Sequence, residues 1–179
     1  MGVRRVITGH DGDRAVIKSD GEIEPITLLG LPGAEFSNVW ATARTPEIDP
    51  DGTLDVSGPY FPAPGGIRIV RVSLPPGSAA PHGEVDQEAV VADAEAKLPG
   101  MILKMEADHP GMHRSDTVDV GMVESGEIWL ELDDGEEVCL RQGDTVIQNG
   151  TRHAWQNRSD APCVMTFVVV GADRPAPLG

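Results

Sequence analysis

The sequence predicts an all-β protein, a sandwich or barrel of short strands that carries one short helix. Gly and Pro are frequent, with 21 and 15 of 179 residues, and Gly, Asn and Asp turn signals recur at the roughly 8–12-residue spacing of such folds. Hydrophobic residues make up 40% of the chain, but aromatic residues only 4%, so Val, Ile, Leu and Met must fill the core. The length is that of one domain.

The N-terminal part predicts extra strands and loops that pack on a barrel. A hairpin is expected around residues 9–12, and a further strand at 38–44. Residues 45–66 are rich in Pro, Gly and Asp, which is typical of a long loop. Because residues 1–66 show no periodic core of their own, we expect them to depend on the barrel.

Residues 67–172 predict the barrel itself, and residues 173–179 a frayed tail. The segment 67–74 alternates apolar and polar residues and predicts a strand. The segment 84–98 is rich in Ala and Glu, ends before Pro-Gly and predicts the helix. Further strands are predicted from residue 101 onward, including a hairpin that turns at Asp133–Gly135.

Composition also limits the partners. The net charge of −15 disfavours nucleic acid and anionic membrane surfaces, because both require a basic face. We therefore expect a small-molecule substrate, no nucleic acid and no membrane. The first residues lack an apolar signal-peptide core, no run reaches membrane-span length, and Cys139 and Cys163 are not spaced as a pair. These observations predict a cytoplasmic protein.

The stretch HPGMHRSDTVDVGMVESGE, residues 109–127, holds the candidate site. In an extended strand, alternate residues share one face, and Val123 continues that face into the apolar interior. The same alternation places His153 on a face with Trp155. Two imidazoles and a carboxylate on inward faces can hold a divalent metal, but a hydrogen-bonded polar group in a barrel mouth is equally compatible with this spacing. The residues that share the inward face of the stretch are His113, Ser115, Thr117, Asp119, Gly121 and Val123.

Residues 107–157 resemble the two sequence motifs of the cupin superfamily. The first motif has two histidines one residue apart, then a glutamate and a glycine, and these positions hold His113, Ser115, Asp119 and Gly126. The second motif falls on Gly143, Gln148, Gly150, His153 and Asn157. The order is correct, with a predicted hairpin between the two motifs.

Five departures from the family pattern stand out. Ser115 replaces the second histidine, and Asp119 replaces the glutamate with a side chain one methylene shorter. Gln148 replaces a proline, and the spacing between Gly143 and Gln148 is one residue short. Ala107 stands where the first motif begins with glycine. What remains of the family's ligand set is two histidines and one carboxylate.

The resemblance implies a cupin jelly-roll barrel with extra N-terminal strands and one short helix, and by analogy a homodimer. It implies a metal-dependent small-molecule enzyme, with non-haem iron oxygenase or dioxygenase chemistry first, and a metal-dependent lyase or decarboxylase next. The metal would be Fe, Mn, Ni or Zn, with Fe favoured. Its alternatives are a metal-free isomerase or dehydratase with a His–Asp pair, and a binding protein without catalysis. The implied metal and catalytic residues are His113, Asp119 and His153, and the implied substrate-binding residues are Ser115, Thr117, Gln148 and Trp155.

Overall fold

The computed structural model describes residues 2–77, 86–109 and 111–175. The first two residues of the predicted helix, 84–85, and the end of the predicted tail, 176–179, lie outside the described residues. The strands are β1 Val3–Asp11, β2 Arg14–Ile23, β3 Ile26–Leu28, β4 Leu31–Thr42, β5 Ile67–Leu74, β6 Thr117–Ser125, β7 Glu127–Glu131, β8 Glu137–Arg141, β9 Thr145–Asn149, β10 Ala154–Gln156 and β11 Cys163–Gly171, and the α-helix α1 spans Gln87–Lys97.

In the part of the chain that the structure describes, the strands form three antiparallel sheets. A six-stranded sheet has the order β3-β4-β5-β11-β6-β9, a three-stranded sheet has the order β10-β7-β8, and β1 and β2 form a two-stranded sheet. From β6 onward the chain passes repeatedly between the two larger sheets, since β6, β9 and β11 lie in one while β7, β8 and β10 lie in the other. This exchange of strands between two sheets is the pattern of a jelly roll.

The N-terminal region takes a larger part in the barrel sheet than the sequence suggested. The strand predicted at 38–44 is wrong in extent, because β4 spans Leu31–Thr42. The sequence analysis missed the short strand β3 altogether. β4 pairs along β5, with Phe36 opposite Val72 and Thr42 opposite Ile67, so the six-stranded sheet also includes chain from before residue 67.

The helix α1 forms where it was predicted, between a cap and a Pro-Gly stop. The Asp86 carboxylate accepts hydrogen bonds from the backbone N–H groups of Glu88 and Ala89, which satisfies donors that the first turn leaves free. Val90 and Ala94 are buried, and Lys97 bonds the carbonyl of Thr27. These contacts hold the helix against the β3 end of the sheet.

The core lies between the two larger sheets. It combines residues of the six-stranded sheet, such as Phe36, Val70 and Met165, with Ile128 of the three-stranded sheet. Leu98 and Met101, which follow the helix, close one end of this cluster. The core therefore holds the strands that carry the polar face described below in a fixed arrangement.

The long loop between β4 and β5 is fastened by a buried arginine. Arg68 is only 2% exposed, and its guanidinium donates hydrogen bonds to the carbonyls of Val56, Gly58 and Pro59. The cation also lies 6.0 Å from the ring centre of Tyr60. Backbone oxygens of the loop thus satisfy the buried charge of Arg68. These bonds fix the part of the loop that adjoins Tyr60.

Candidate functional site

The predicted inward face is buried along its whole length. His113, Ser115, Thr117, Asp119, Gly121 and Val123 are all buried, whereas Arg114, Asp116 and Met122 are exposed. This alternation follows from strand geometry, since successive side chains point to opposite faces. The prediction that these alternate residues share an inward face is confirmed. The three residues implied as catalytic all lie in the interior.

His113 and His153 lie side by side. Their backbones form an isolated antiparallel bridge, in which each N–H donates to the other's carbonyl at 2.9 and 3.0 Å. The two ring centres are 4.2 Å apart, with an angle of 51° between the ring planes. The turn at Gly150, whose φ is 57°, precedes the segment that brings His153 beside His113.

Each imidazole is oriented by the backbone. Nδ1 of His113 donates to the carbonyl of Gly111, and Nδ1 of His153 donates to that of Thr151, both at 2.9 Å. A carbonyl only accepts, so each neutral ring carries its proton on Nδ1 and leaves the lone pair of Nε2 free. Burial lowers the pKa of both groups, and the neighbouring His113 helps to bring that of His153 to about 4.

Asp119 is the buried carboxylate of this face. It is 6% exposed, and its Oδ1 has no hydrogen-bond partner among the described residues. Burial raises the pKa of the Asp119 carboxyl to about 6, and a hydrogen bond from Thr117 partly offsets this effect. The carboxylate is therefore a stronger base than His153, because its conjugate acid holds the proton to higher pH.

The four residues predicted to bind substrate surround these groups. Ser115 and Thr117 are buried, and their hydroxyl oxygens are 2.7 Å apart in a hydrogen bond. Gln148 is buried on β9 directly opposite Asp119. Trp155 is partly buried, and its ring lies edge-on to His153 with centres 5.7 Å apart.

Two aromatic residues that were not predicted from the sequence border the site. Phe61 packs against His113 with ring centres 6.0 Å apart, and Tyr60 packs against Phe61 at 5.0 Å. Tyr60 is buried, and both burial and the charge of Asp119 raise the pKa of its hydroxyl. The signal was present, since the only Tyr of the chain adjoins one of three Phe residues in an otherwise Pro- and Gly-rich loop.

An ion-pair network fixes the chain beside His153. Arg152 bonds both carboxylate oxygens of Glu106, at 2.7 and 2.6 Å, and also bonds Asp133 at 2.8 Å. Glu106 in turn donates its backbone N–H to Met112, the neighbour of His113. The network therefore connects the segments that carry the two histidines.

The donor groups on this face are of types that bind metals, but they are not arranged as a single metal site requires. Backbone-anchored imidazoles and an unpartnered carboxylate oxygen are groups that bind divalent metals. Within the described ranges, however, no three His, Cys, Asp or Glu side chains lie close enough together to hold one ion. The residues therefore do not fit a ready-made three-ligand centre, although two of the three implied ligands are adjacent.

A second concave region lies away from these groups. An open groove of about 1030 Å³ runs between β1, the end of β4 and the following loop, and includes Arg5, Trp40 and Ile48 in its wall. None of the residues implied as catalytic lines it. Among the described residues, no helix is both long and apolar enough to cross a membrane.

Comparison with known proteins agrees with the sequence motifs. A cupin-domain family model matches residues 101–170. Phomopsin biosynthesis cluster proteins D and C' of Diaporthe leptostromiformis are 45% and 39% identical over 156 residues, which are 87% of this chain and 70% of each relative. The cupin-domain-containing oxidoreductase srdB of Neurospora crassa is 27% identical over 173 residues, or 93% of this chain and 72% of that protein. The jelly-roll prediction is confirmed, and the chain belongs to the cupin superfamily.

Proposed function

We propose that the protein is a cupin enzyme that moves protons on a small organic substrate inside the barrel, with Asp119 as the general base. One observation carries the proposal: a buried carboxylate with an unpartnered oxygen lies on the same face as two imidazoles with free lone pairs. A base whose pKa is near the working pH is effective in such transfers, and the pKa of Asp119 is about 6.

The reaction would begin at a carbon next to a carbonyl group. Oδ1 of Asp119 takes the proton from that carbon, and the electron pair of the broken C–H bond moves to the carbonyl oxygen to form an enolate. In an α-hydroxy ketone, the hydroxyl proton moves to the enolate oxygen and the abstracted proton returns to the former carbonyl carbon, which exchanges the positions of the carbonyl and hydroxyl groups. In a β-hydroxy ketone, loss of the hydroxyl with the abstracted proton as water gives a dehydration product. His113 and His153 are neutral at physiological pH, and their Nε2 atoms accept hydrogen bonds from substrate hydroxyls.

Proton exchange tests this function directly. The protein is incubated in deuterium oxide, with a chelator, against a panel of small ketones and hydroxy ketones, and loss of the α-proton signal is followed by NMR. We expect exchange with at least one compound, and a loss of about a hundredfold or more in Asp119→Asn. Asp116→Asn is the matched control, because its exposed carboxylate lies on the opposite face. Equal exchange by Asp119→Asn and wild type, or no exchange with any compound, would contradict the proposal.

Metal-dependent oxidoreductase chemistry is the second candidate. It is favoured by the Nδ1 anchoring of both imidazoles, which is typical of metal-bound histidine, and by the similarity to a cupin-domain-containing oxidoreductase of Neurospora crassa. Iron, manganese, nickel and zinc would be titrated into wild type and Ser115→His. We expect the new imidazole to tighten binding, because it adds a donor beside His113 and Asp119. No binding to wild type and no gain in the variant would eliminate this candidate.

A further inference from the structure

Two buried residues that lie opposite each other on β6 and β9 each carry a polar atom without a partner among the described residues. Asp119 and Gln148 are directly opposed in the strand register, and facing side chains in an antiparallel pair lie close together. Oδ1 of Asp119 and Nε2 of Gln148 are both buried, and neither has a hydrogen-bond partner among the described residues. Because buried polar atoms are nearly always bonded in folded proteins, these two atoms are suited to bind a polar ligand.

Each of the two side chains also accepts a hydrogen bond from a neighbouring threonine hydroxyl. The hydroxyl of Thr151 donates to Oε1 of Gln148, which leaves Nε2 as the atom that faces the site. Thr117 donates to the Asp119 carboxylate, which leaves Ser115 to donate to Thr117. The site therefore presents one fixed acceptor, the carboxylate oxygen, beside one fixed donor, the amide N–H.

We propose that this pair binds a neutral carbonyl group that has a donor hydrogen next to it, as in an amide or a hydroxy ketone. The carbonyl oxygen accepts from Nε2 of Gln148, and the neighbouring N–H or O–H donates to Oδ1 of Asp119. This inference rests on the proposed function in taking the barrel as the substrate site, and it names the substrate class.

The chemistry of the pair disfavours a carboxylate ligand. An anion has no hydrogen to give to Asp119 and would meet its negative charge, whereas a neutral amide satisfies both atoms. The amide N–H of Gln148 distinguishes this chain from the cupin motif that it resembles. That motif has proline at this position, and proline has no side-chain N–H. The nearby rings of Trp155 and Phe167, with centres 5.6 Å apart, provide an apolar wall for the rest of the ligand.

Benzamide and benzoate are the probes that test this inference, since they share a shape and differ in charge and donor. Their dissociation constants are measured by NMR titration at about pH 8, where Asp119 is ionised, with a chelator present. We expect wild type to bind benzamide about tenfold or more tightly than benzoate, the size expected for one hydrogen bond to a charged group. Gln148→Met should lose about this preference, and Gln142→Met, at an exposed turn, should keep it.

A second variant tests the direction of the effect. Asp119→Asn removes the charge and can offer an N–H, so the preference should shift towards benzoate. Melting temperatures confirm that each variant is folded. Equal binding of the two probes to wild type, no binding of benzamide, or an unchanged preference in Gln148→Met would overturn the inference. The binding measurement involves no turnover. Its result therefore tests this inference even if the proton-transfer function proves wrong.

Discussion

Replacement of Asp119 by asparagine should make the protein more stable at neutral and alkaline pH. Burial raises the pKa of the carboxyl from 3.8 to about 6, so the folded state holds the proton more tightly than the unfolded chain does. The stability contribution of this group is fully present below pH 3.8 and is lost as the pH rises through 6. A difference of about two pKa units corresponds to about 3 kcal/mol.

Asparagine is neutral at every pH and close to aspartate in shape, so it removes this cost. The free energy of unfolding, from urea titrations, should be up to about 3 kcal/mol higher in Asp119→Asn than in wild type at about pH 8, and nearly equal at about pH 4. Asp116→Asn is the control, because Asp116 is exposed and paired with Arg174, which lowers the pKa of its carboxyl. A variant that is no more stable than wild type at pH 8, or a gap of equal size at both pH values, would refute the reasoning.

Three further changes test the surroundings of the site. Gly171→Ala should destabilise the fold by about 2 kcal/mol or more, because a Cβ there would lie 2.0 Å from the carbonyl oxygen of Ala63; Gly21→Ala, which meets nothing within 4 Å, should have little effect in the same urea titration. Arg68→Met should lower the free energy of unfolding by about 3 kcal/mol, because it leaves buried loop carbonyls without donors. In this variant the contact between Phe61 and His113 should also be lost, which ring-proton NMR shifts measure. Burial lowers the pKa of the His153 imidazole to about 4, so the unfolded chain binds a proton at this residue more tightly than the folded protein does. The free energy of unfolding of His153→Gln should therefore fall less than that of wild type as the pH is lowered from 6.5. An unchanged pH profile of unfolding would contradict this.

The interior face could be predicted from the sequence because strand alternation is local. Once one residue of the stretch was assigned to the inside, the burial of His113, Ser115 and Asp119 followed from their shared parity. The turn at Gly150 could be predicted in the same way, since Asn-Gly is a strong turn signal. These features need no knowledge of the rest of the chain.

The aromatic border of the site could not be predicted in this way. Tyr60 and Phe61 lie in a loop without periodicity, and their burial depends on long-range contacts. Arg68 holds the loop from a different strand, and Gly171 donates its backbone N–H to Gly66 from the end of β11. Alternating patterns in a single segment do not encode such contacts.

The alternation of inward and outward side chains predicts no distances between donor atoms. It therefore could not predict whether the three implied ligands are close enough to bind one metal ion. Parity places His113, Asp119 and His153 on the interior face, where they lie. It cannot predict how far apart their donor atoms are, and the shorter side chain of aspartate changes that distance relative to glutamate. The ligand set implied by the cupin motif therefore remains a proposal about this chain.

The most direct test of the account is the titration of the Asp119 carboxyl itself, followed by carbon-13 NMR of aspartate-labelled protein with and without added divalent metal. The resonance is assigned by its absence in Asp119→Asn. We predict a midpoint near pH 6 that added metal leaves unchanged, because the carboxylate acts as a buried base. A midpoint near the ordinary value of about 4, or loss of the titration when metal is added, would contradict the proton-transfer account, and the second result would favour the metal-dependent alternative.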